Sequence, residues 1–252
     1  MRIAIVTLGI GDYWKACRTL FYSLEKYGML PDTVERIMLY DSIKPPEGLD
    51  FARPVQIMEH YTDLPCIKRF INSFKRIFAF TLPYDRIIYL DADMLCIGDA
   101  SLLWSEKIGK LPFYACRDTA AFKYYPDKLA AGAIDPQLVF NGGLEIYHPG
   151  LLPEFHDDLL LRLRSGTLSM YDGADQGALN SYFQFKNIEV GLLPQGLNYI
   201  LDPFCPKLPE WEQRIIHFTN SGANPFKSPG RNDPETRKYY ELWEEAWKEC
   251  VK

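Results

Sequence analysis

The sequence has no CxxC pair, no apolar run long enough to cross a membrane and no surplus of positive charge. Its six cysteines, at 17, 66, 96, 116, 205 and 250, match neither a zinc site nor a secreted disulfide framework. Cys96 and Cys116 fall in apolar runs, which reads as buried free thiols and a reducing, cytoplasmic setting. A secretory signal is also missing from the given sequence, because Arg2 is followed by only a short apolar run before glycines and Asp12. A formal net charge of −5 argues against a nucleic-acid partner, which would need a basic face over the phosphates. No Gly/Ser-rich, Pro-rich or highly charged stretch reads as a linker, and no repeat is evident, so the 252 residues are expected to form one domain.

What is present is an ordinary globular balance, 47% hydrophobic against 24% charged, arranged in alternating periods. Residues 3–8 are short, continuous and β-branched, as a buried strand requires. A helix is expected over 12–27, with Cys17, Leu20, Phe21 and Leu24 as its apolar face and Gly28 as its cap. Residues 36–40 read as a second strand. Residues 66–80 read as a helix carrying Ile67, Phe70, Ile71, Phe74, Ile77 and Phe78, and residues 86–90 as a third strand. This alternation predicts an α/β fold with a mainly parallel central sheet and helices on both faces. Beyond it, strands are expected at 112–116, 138–147, 188–193 and 214–219, and helices at 153–164 and 175–183. A last helix starts at Asp233-Pro234. Its face of Tyr239, Trp243, Ala246, Trp247 and Cys250 suits core packing or a homodimer contact. Acidic neighbours make it a poor anchor for an anionic membrane.

Ligands of such sheets bind beyond the carboxyl ends of the strands. Asp91-Ala92-Asp93 follows the apolar strand 86–90 directly. Residues two apart in an extended segment point the same way, so both carboxylates can reach one hard cation. An acidic turn in solvent is the plainer alternative. His217, in the apolar segment 214–219, is either a hydrogen-bonded core residue or a third ligand. Two carboxylates and an imidazole suit Mn²⁺ better than Mg²⁺. The small-residue segment 220–227, with Gly222 and Lys227, reads as a phosphate-facing turn or a surface loop. Asn141-Gly142-Gly143 reads as a close backbone approach to a ligand or as a hairpin turn. Asp172-Gly173-Ala174-Asp175-Gln176 precedes a helix, and Asp175 serves either as its N-cap or in a polar cluster for sugar hydroxyls. Gly9-Ile10-Gly11 lacks the third glycine of a dinucleotide fingerprint, because Trp14 stands there.

In this order, Leu90-Asp91-Ala92-Asp93, Phe140-Asn141-Gly142-Gly143, Asp172-Gly173-Ala174-Asp175-Gln176 and His217-Phe218 resemble the glycogenin-like glycosyltransferases of family 8. The resemblance runs from Ile5 to about Lys227. It implies a GT-A fold and retaining hexose transfer from a UDP-sugar, UDP-glucose or UDP-galactose, to a carbohydrate or other hydroxyl acceptor. On that reading a nucleotide-binding half covers about 1–110 and a donor-sugar and acceptor half about 111–230, followed by the C-terminal helix at about 233–251. The resemblance places Mn²⁺, with Mg²⁺ as a substitute, on Asp91, Asp93 and His217. Leu8 and Tyr13 match its uridine site, and Lys75, sixteen residues before Asp91, matches a lysine near the donor. Asn141, Asp172, Asp175 and Gln176 match donor-sugar contacts, with Gln176 placed to stabilise positive character at the anomeric carbon during same-face attack. The family's Lys-Pro-Trp segment is here Asn224-Pro225-Phe226, with Lys227 displaced. Tyr199 does not sit in a self-glucosylation sequence, so a separate acceptor is expected, with 120–137 as an acceptor-side insertion. The rival readings are an inactive nucleotide-sugar-binding scaffold and a sugar-phosphate nucleotidyltransferase. The latter would carry a basic Gly-rich loop where Gly9 to Asp12 has none.

Overall fold

The computed structural model describes residues 1–42, 44–45, 49–59, 61–64, 71–120, 127, 134–168, 170–172, 174–202, 205–219 and 234–252. Seven strands form the main sheet in the order β3-β2-β1-β4-β7-β6-β8. They are β1 (Ile3–Leu8), β2 (Glu35–Tyr40), β3 (Arg53–Gln56), β4 (Arg86–Leu90), β6 (Phe113–Arg117), β7 (Phe140–Tyr147) and β8 (Val190–Leu192). All are parallel except β7, which runs against both its neighbours, so the mainly parallel α/β sheet expected from the alternation is present.

The pleat of these strands feeds two cores. Ala4 and Val6 of β1, with Ile87 and Tyr89 of β4, face one layer, while Ile3, Ile5, Ile88 and Leu90 face the other. Helix α1 (Trp14–Tyr27) covers the second layer with Leu20, Phe21 and Leu24. The first layer is covered by α3 (Phe155–Arg164) and α4 (Asp175–Phe185), through Phe155, Leu159, Leu163, Tyr182 and Phe183. A smaller sheet, β5 (Met94–Cys96), β10 (Ile215–His217) and β9 (Tyr199–Ile200), lies past the acidic turn. Helix α5 (Pro234–Cys250) buries Tyr239, Trp243 and Ala246 against Leu95, Ile216 and Phe218 of that region. Of the two readings of this face, core packing is the one seen within the chain. The N-cap position Asp233 lies outside the described residues. Cys17, Cys96 and Cys116 are buried and Cys205 and Cys250 half-buried, all as free thiols.

Three local expectations need correction. Only the four residues Ile71–Phe74 (α2) are α-helical in the described part of 66–80, and Lys75–Thr81 winds as a 3-10 helix. Three residues per turn align Phe74, Ile77 and Phe80, all buried, on one side, and Leu82 leaves in extended conformation before Pro83. Gly28 caps α1 as expected, staying right-handed with φ −85°, and the positive φ of 59° falls on Met29. Asn141-Gly142-Gly143 is no hairpin turn, because β7 runs unbroken through it. Asp175 is not an N-cap but the first residue of α4. The capping bonds come from Asp172, which accepts from the backbone N–H of Ala174 at 2.8 Å and of Gly177 at 3.1 Å.

Candidate active site

Strand direction assembles the site. β1 and β4 are neighbours and parallel, so the segment after Leu8 and the turn after Leu90 leave the sheet at one edge. β7 is antiparallel to β4, so its first residues lie at that same edge, and Gly143 accepts a backbone hydrogen bond from Asp91 at 2.8 Å. Opposite β7, the pairing register of β6 shifts between Ala115 and Cys116. Gly142 N–H is thereby free to donate to Gln176 Oε1 at 3.0 Å.

A cavity of about 650 Å³ opens at this edge, within the size range of small-molecule sites. Leu8, Tyr13, Asp91, Ala92, Asp93, Asn141, Gly142, Asp172, Asp175, Gln176 and His217 all line it. Lys75 does not. Its ammonium pairs with Asp41 at 2.5 Å and with Asn72 Oδ1 at 2.8 Å, and Asn72 is the residue that reaches the cavity. Gly222, Lys227 and most of 120–137 fall outside the described residues.

Asp91, Asp93 and His217 each offer a ligand atom, all within 4.8 Å of one another. His217 Nε2 stands 3.6 Å from Asp91 Oδ2 and 3.5 Å from Asp93 Oδ1. The imidazole lies close against Gly143, where a Cβ would come within 2.2 Å of His217 Cε1. Loss of hydration lifts the Asp91 carboxyl to about 6, against the pull of Arg76 and with the push of Asp93. For His217 burial acts downward, and the facing carboxylates of Asp93 and Asp91 outweigh it and raise its pKa. The donor set of two carboxylates and one imidazole fits a divalent cation. The lining gives a second reason. Asp91, Asp93, Asp118, Asp172, Asp175 and Asp202 face Arg76 as the one arginine among the described lining residues. A diphosphate would be repelled from this cavity unless a cation screened those carboxylates.

Several residues of the site were not anticipated. Arg76 is buried, reaches Glu145 Oε1 at 3.1 Å, pairs with Asp175 and donates to the carbonyl of Gly142. Its guanidinium also stands 5.0 Å from the centre of the Tyr89 ring. Burial lifts Glu145 to about 8 even with Arg76 beside it. Asp118 accepts from Gln176 Nε2 at 2.6 Å. It follows the carboxyl end of β6, so the strand-end rule that singled out Asp91 would have found it. Asn198 joins His217 to Asn141, and no sequence signal marks it.

Solved structures share this fold. The galactosyltransferase LgtC, determined in complex with donor and acceptor sugar analogs, superposes with a TM-score of 0.72 over 98% of this chain and 96% of its own, at 15% identity. The fold is therefore the GT-A glycosyltransferase fold. The sequence profile of glycosyl transferase family 8 matches residues 59–191, and the chain belongs to that family. Galactinol synthase 2 of Solanum lycopersicum is 27% identical over 95% of this chain and 76% of its own length. Glycogenin of Komagataella phaffii is 29% identical over 52% of this chain and 28% of its own. The glycogenin-like resemblance read from the ordered motifs is borne out.

Proposed function

We propose that the chain transfers a hexose, glucose or galactose, from a UDP-sugar to a hydroxyl group of a separate acceptor with retention of anomeric configuration. The observation that carries this reading is the meeting of Asp91, Asp93 and His217 with Asn141, Asp172, Asp175 and Gln176 around one cavity. The names of two relatives, galactinol synthase and the galactosyltransferase LgtC, support a hexose donor. Leu8, Ile10 and Tyr13 form the apolar end suited to the uracil ring. Asp91, Asp93 and His217 would hold Mn²⁺, or Mg²⁺ in its place, and a cation there neutralises charge on a departing diphosphate.

The protein's own groups account for the sugar side. Gln176 Oε1 accepts from Gly142 N–H and from Asn141 Nδ2, at 3.0 and 3.3 Å, and its Nε2 donates to Asp118. The amide is therefore held in one orientation. As a neutral amide it is a poor nucleophile, which favours attack from the leaving-group face with the Gln176 oxygen steadying positive character at the anomeric carbon. Arg76 and Asp175 are locked together beside it, presenting a polar wall to sugar hydroxyls.

A donor panel tests the reading. UDP-glucose, UDP-galactose and other UDP-sugars are supplied with Mn²⁺ or with chelator, and UDP release is followed with a polyol or saccharide acceptor. Metal-dependent release of UDP with an anomerically retained product is expected. An inverted product, pyrophosphate in place of UDP, or binding without turnover for every donor would contradict it.

A further inference from the structure

His217 can serve a cation through Nε2 only when its ring proton sits on Nδ1. A hydrogen-bond chain decides this, and it begins at a backbone amide, which can only donate. Gly143 N–H donates to Asn141 Oδ1 at 2.9 Å. The same oxygen accepts from Asn198 Nδ2 at 2.8 Å. Asn198 therefore turns its Oδ1 toward His217 Nδ1, 2.8 Å away, and that acceptor requires a proton on the facing nitrogen. The lone pair is left on Nε2, on the side of Asp91 and Asp93.

The polarity of the chain is fixed from its other end as well. Asn141 Nδ2 donates to Gln176 Oε1, an oxygen that also accepts from Gly142 N–H. Flipping the Asn141 amide would set its NH₂ against Gly143 N–H and its oxygen against Gln176 Oε1. Two adjacent backbone amides thus dictate the orientation of three side-chain amides. Asn198 is fully buried, and Asn141 and His217 nearly so, which makes a missing partner in the chain costly.

We propose that Asn198 is a positioning residue, relaying the polarity of Gly143 N–H through Asn141 to hold His217 in the tautomer whose Nε2 is free for a divalent cation. The proposal rests on the reading of Asp91, Asp93 and His217 as a cation site. In the same network the amide that faces the sugar, Gln176, and the imidazole that faces the cation share one hydrogen-bonded origin.

The tautomer and the cation affinity are measured separately. Nitrogen-15 NMR of the metal-free protein, at a pH where the ring is neutral, reads the protonated nitrogen. The sequence has four histidines, and His217 is identified by the signal lost in His217→Asn. The Nδ1–H form is expected in the wild type and a mixture in Asn198→Ala. Calorimetric titration with Mn²⁺ should show affinity weakened by about 10- to 100-fold in Asn198→Ala. Asn198→Asp, which keeps an acceptor against Nδ1, should restore tautomer and affinity even where its melting temperature stays low. A merely structural role would lower the melting temperature of both variants and leave tautomer and affinity unmoved. A wild-type Nε2–H tautomer, or unchanged Mn²⁺ affinity in a folded Asn198→Ala, overturns the relay alone. A wild type that binds neither Mn²⁺ nor Mg²⁺ overturns the cation reading, and the relay's role with it.

Discussion

Asp172 is buried at the cavity wall, and loss of hydration lifts its carboxyl to about 7 despite the backbone N–H of Ala174 and Gly177. An unfolded aspartate titrates near 4, so between about pH 4 and 7 the folded chain holds a proton that the unfolded chain has released. Stability contributed by this group is therefore greatest below that window and falls as pH rises through it. Melting curves of the wild type and Asp172→Asn across this range should diverge, the wild type losing ground until about pH 7 and running parallel above it. Curves parallel throughout would mean that Asp172 carries no such shift. Gly143 has a different constraint, since an added Cβ would meet the His217 ring. Gly143→Ala should cost about 1–3 kcal/mol by overpacking. It should also weaken Mn²⁺ binding by more than about tenfold by turning the imidazole away. A titration showing wild-type affinity would refute the contact.

Among the elements, the 3-10 segment Lys75–Thr81, β7 and α4 are joined by Arg76, which bridges Glu145 and Asp175 in a nearly dry position. Removing the guanidinium leaves Asp175 buried without a counter-charge and Glu145 without its hydrogen-bond donor. Arg76→Met is thus expected to lose about 3–5 kcal/mol in urea denaturation. A loss under about 1 kcal/mol would show that the network relaxes to reach water. Arg76 also marks where sequence reading stops. Periodicity identified the segment as amphipathic, and it is, but a charged residue in such a segment defaults to the solvent side. Its burial depends on Glu145, 69 residues away in the chain and brought close only by β7. Asn198 was invisible for the same reason. Asp91, Gln176 and His217 were legible because their chemistry sits in short local motifs that occur in a fixed order. Asp175 was half legible: the start of a helix was right, and its ion pair with Arg76 needed the fold.

At the scale of the molecule, the alternation of periods in the first ninety residues was enough to place the parallel core, since β1, β2 and β4 are hydrophobic on both faces, while the mostly exposed β3 went unread. The rest of the chain was harder, because β5 and β9 are only three and two residues long and leave little periodicity to read. That small sheet nevertheless carries His217 to the acidic turn, with β10 pairing β5 directly after Asp93. The main sheet and α4 thus bring Asn141, the two carboxylates and Gln176 to the cavity, and the small sheet supplies the imidazole. The central claim is that these three groups together hold the cation that makes an acidic cavity receptive to a nucleoside diphosphate. UDP affinity, measured by calorimetry with and without Mn²⁺ in the wild type and in Asp91→Asn, tests it most directly. The account predicts that Mn²⁺ tightens UDP binding more than about a hundredfold in the wild type and has little effect in a folded Asp91→Asn protein. Equal UDP affinity with and without Mn²⁺ in the wild type, or an undiminished Mn²⁺ effect in Asp91→Asn, would contradict it.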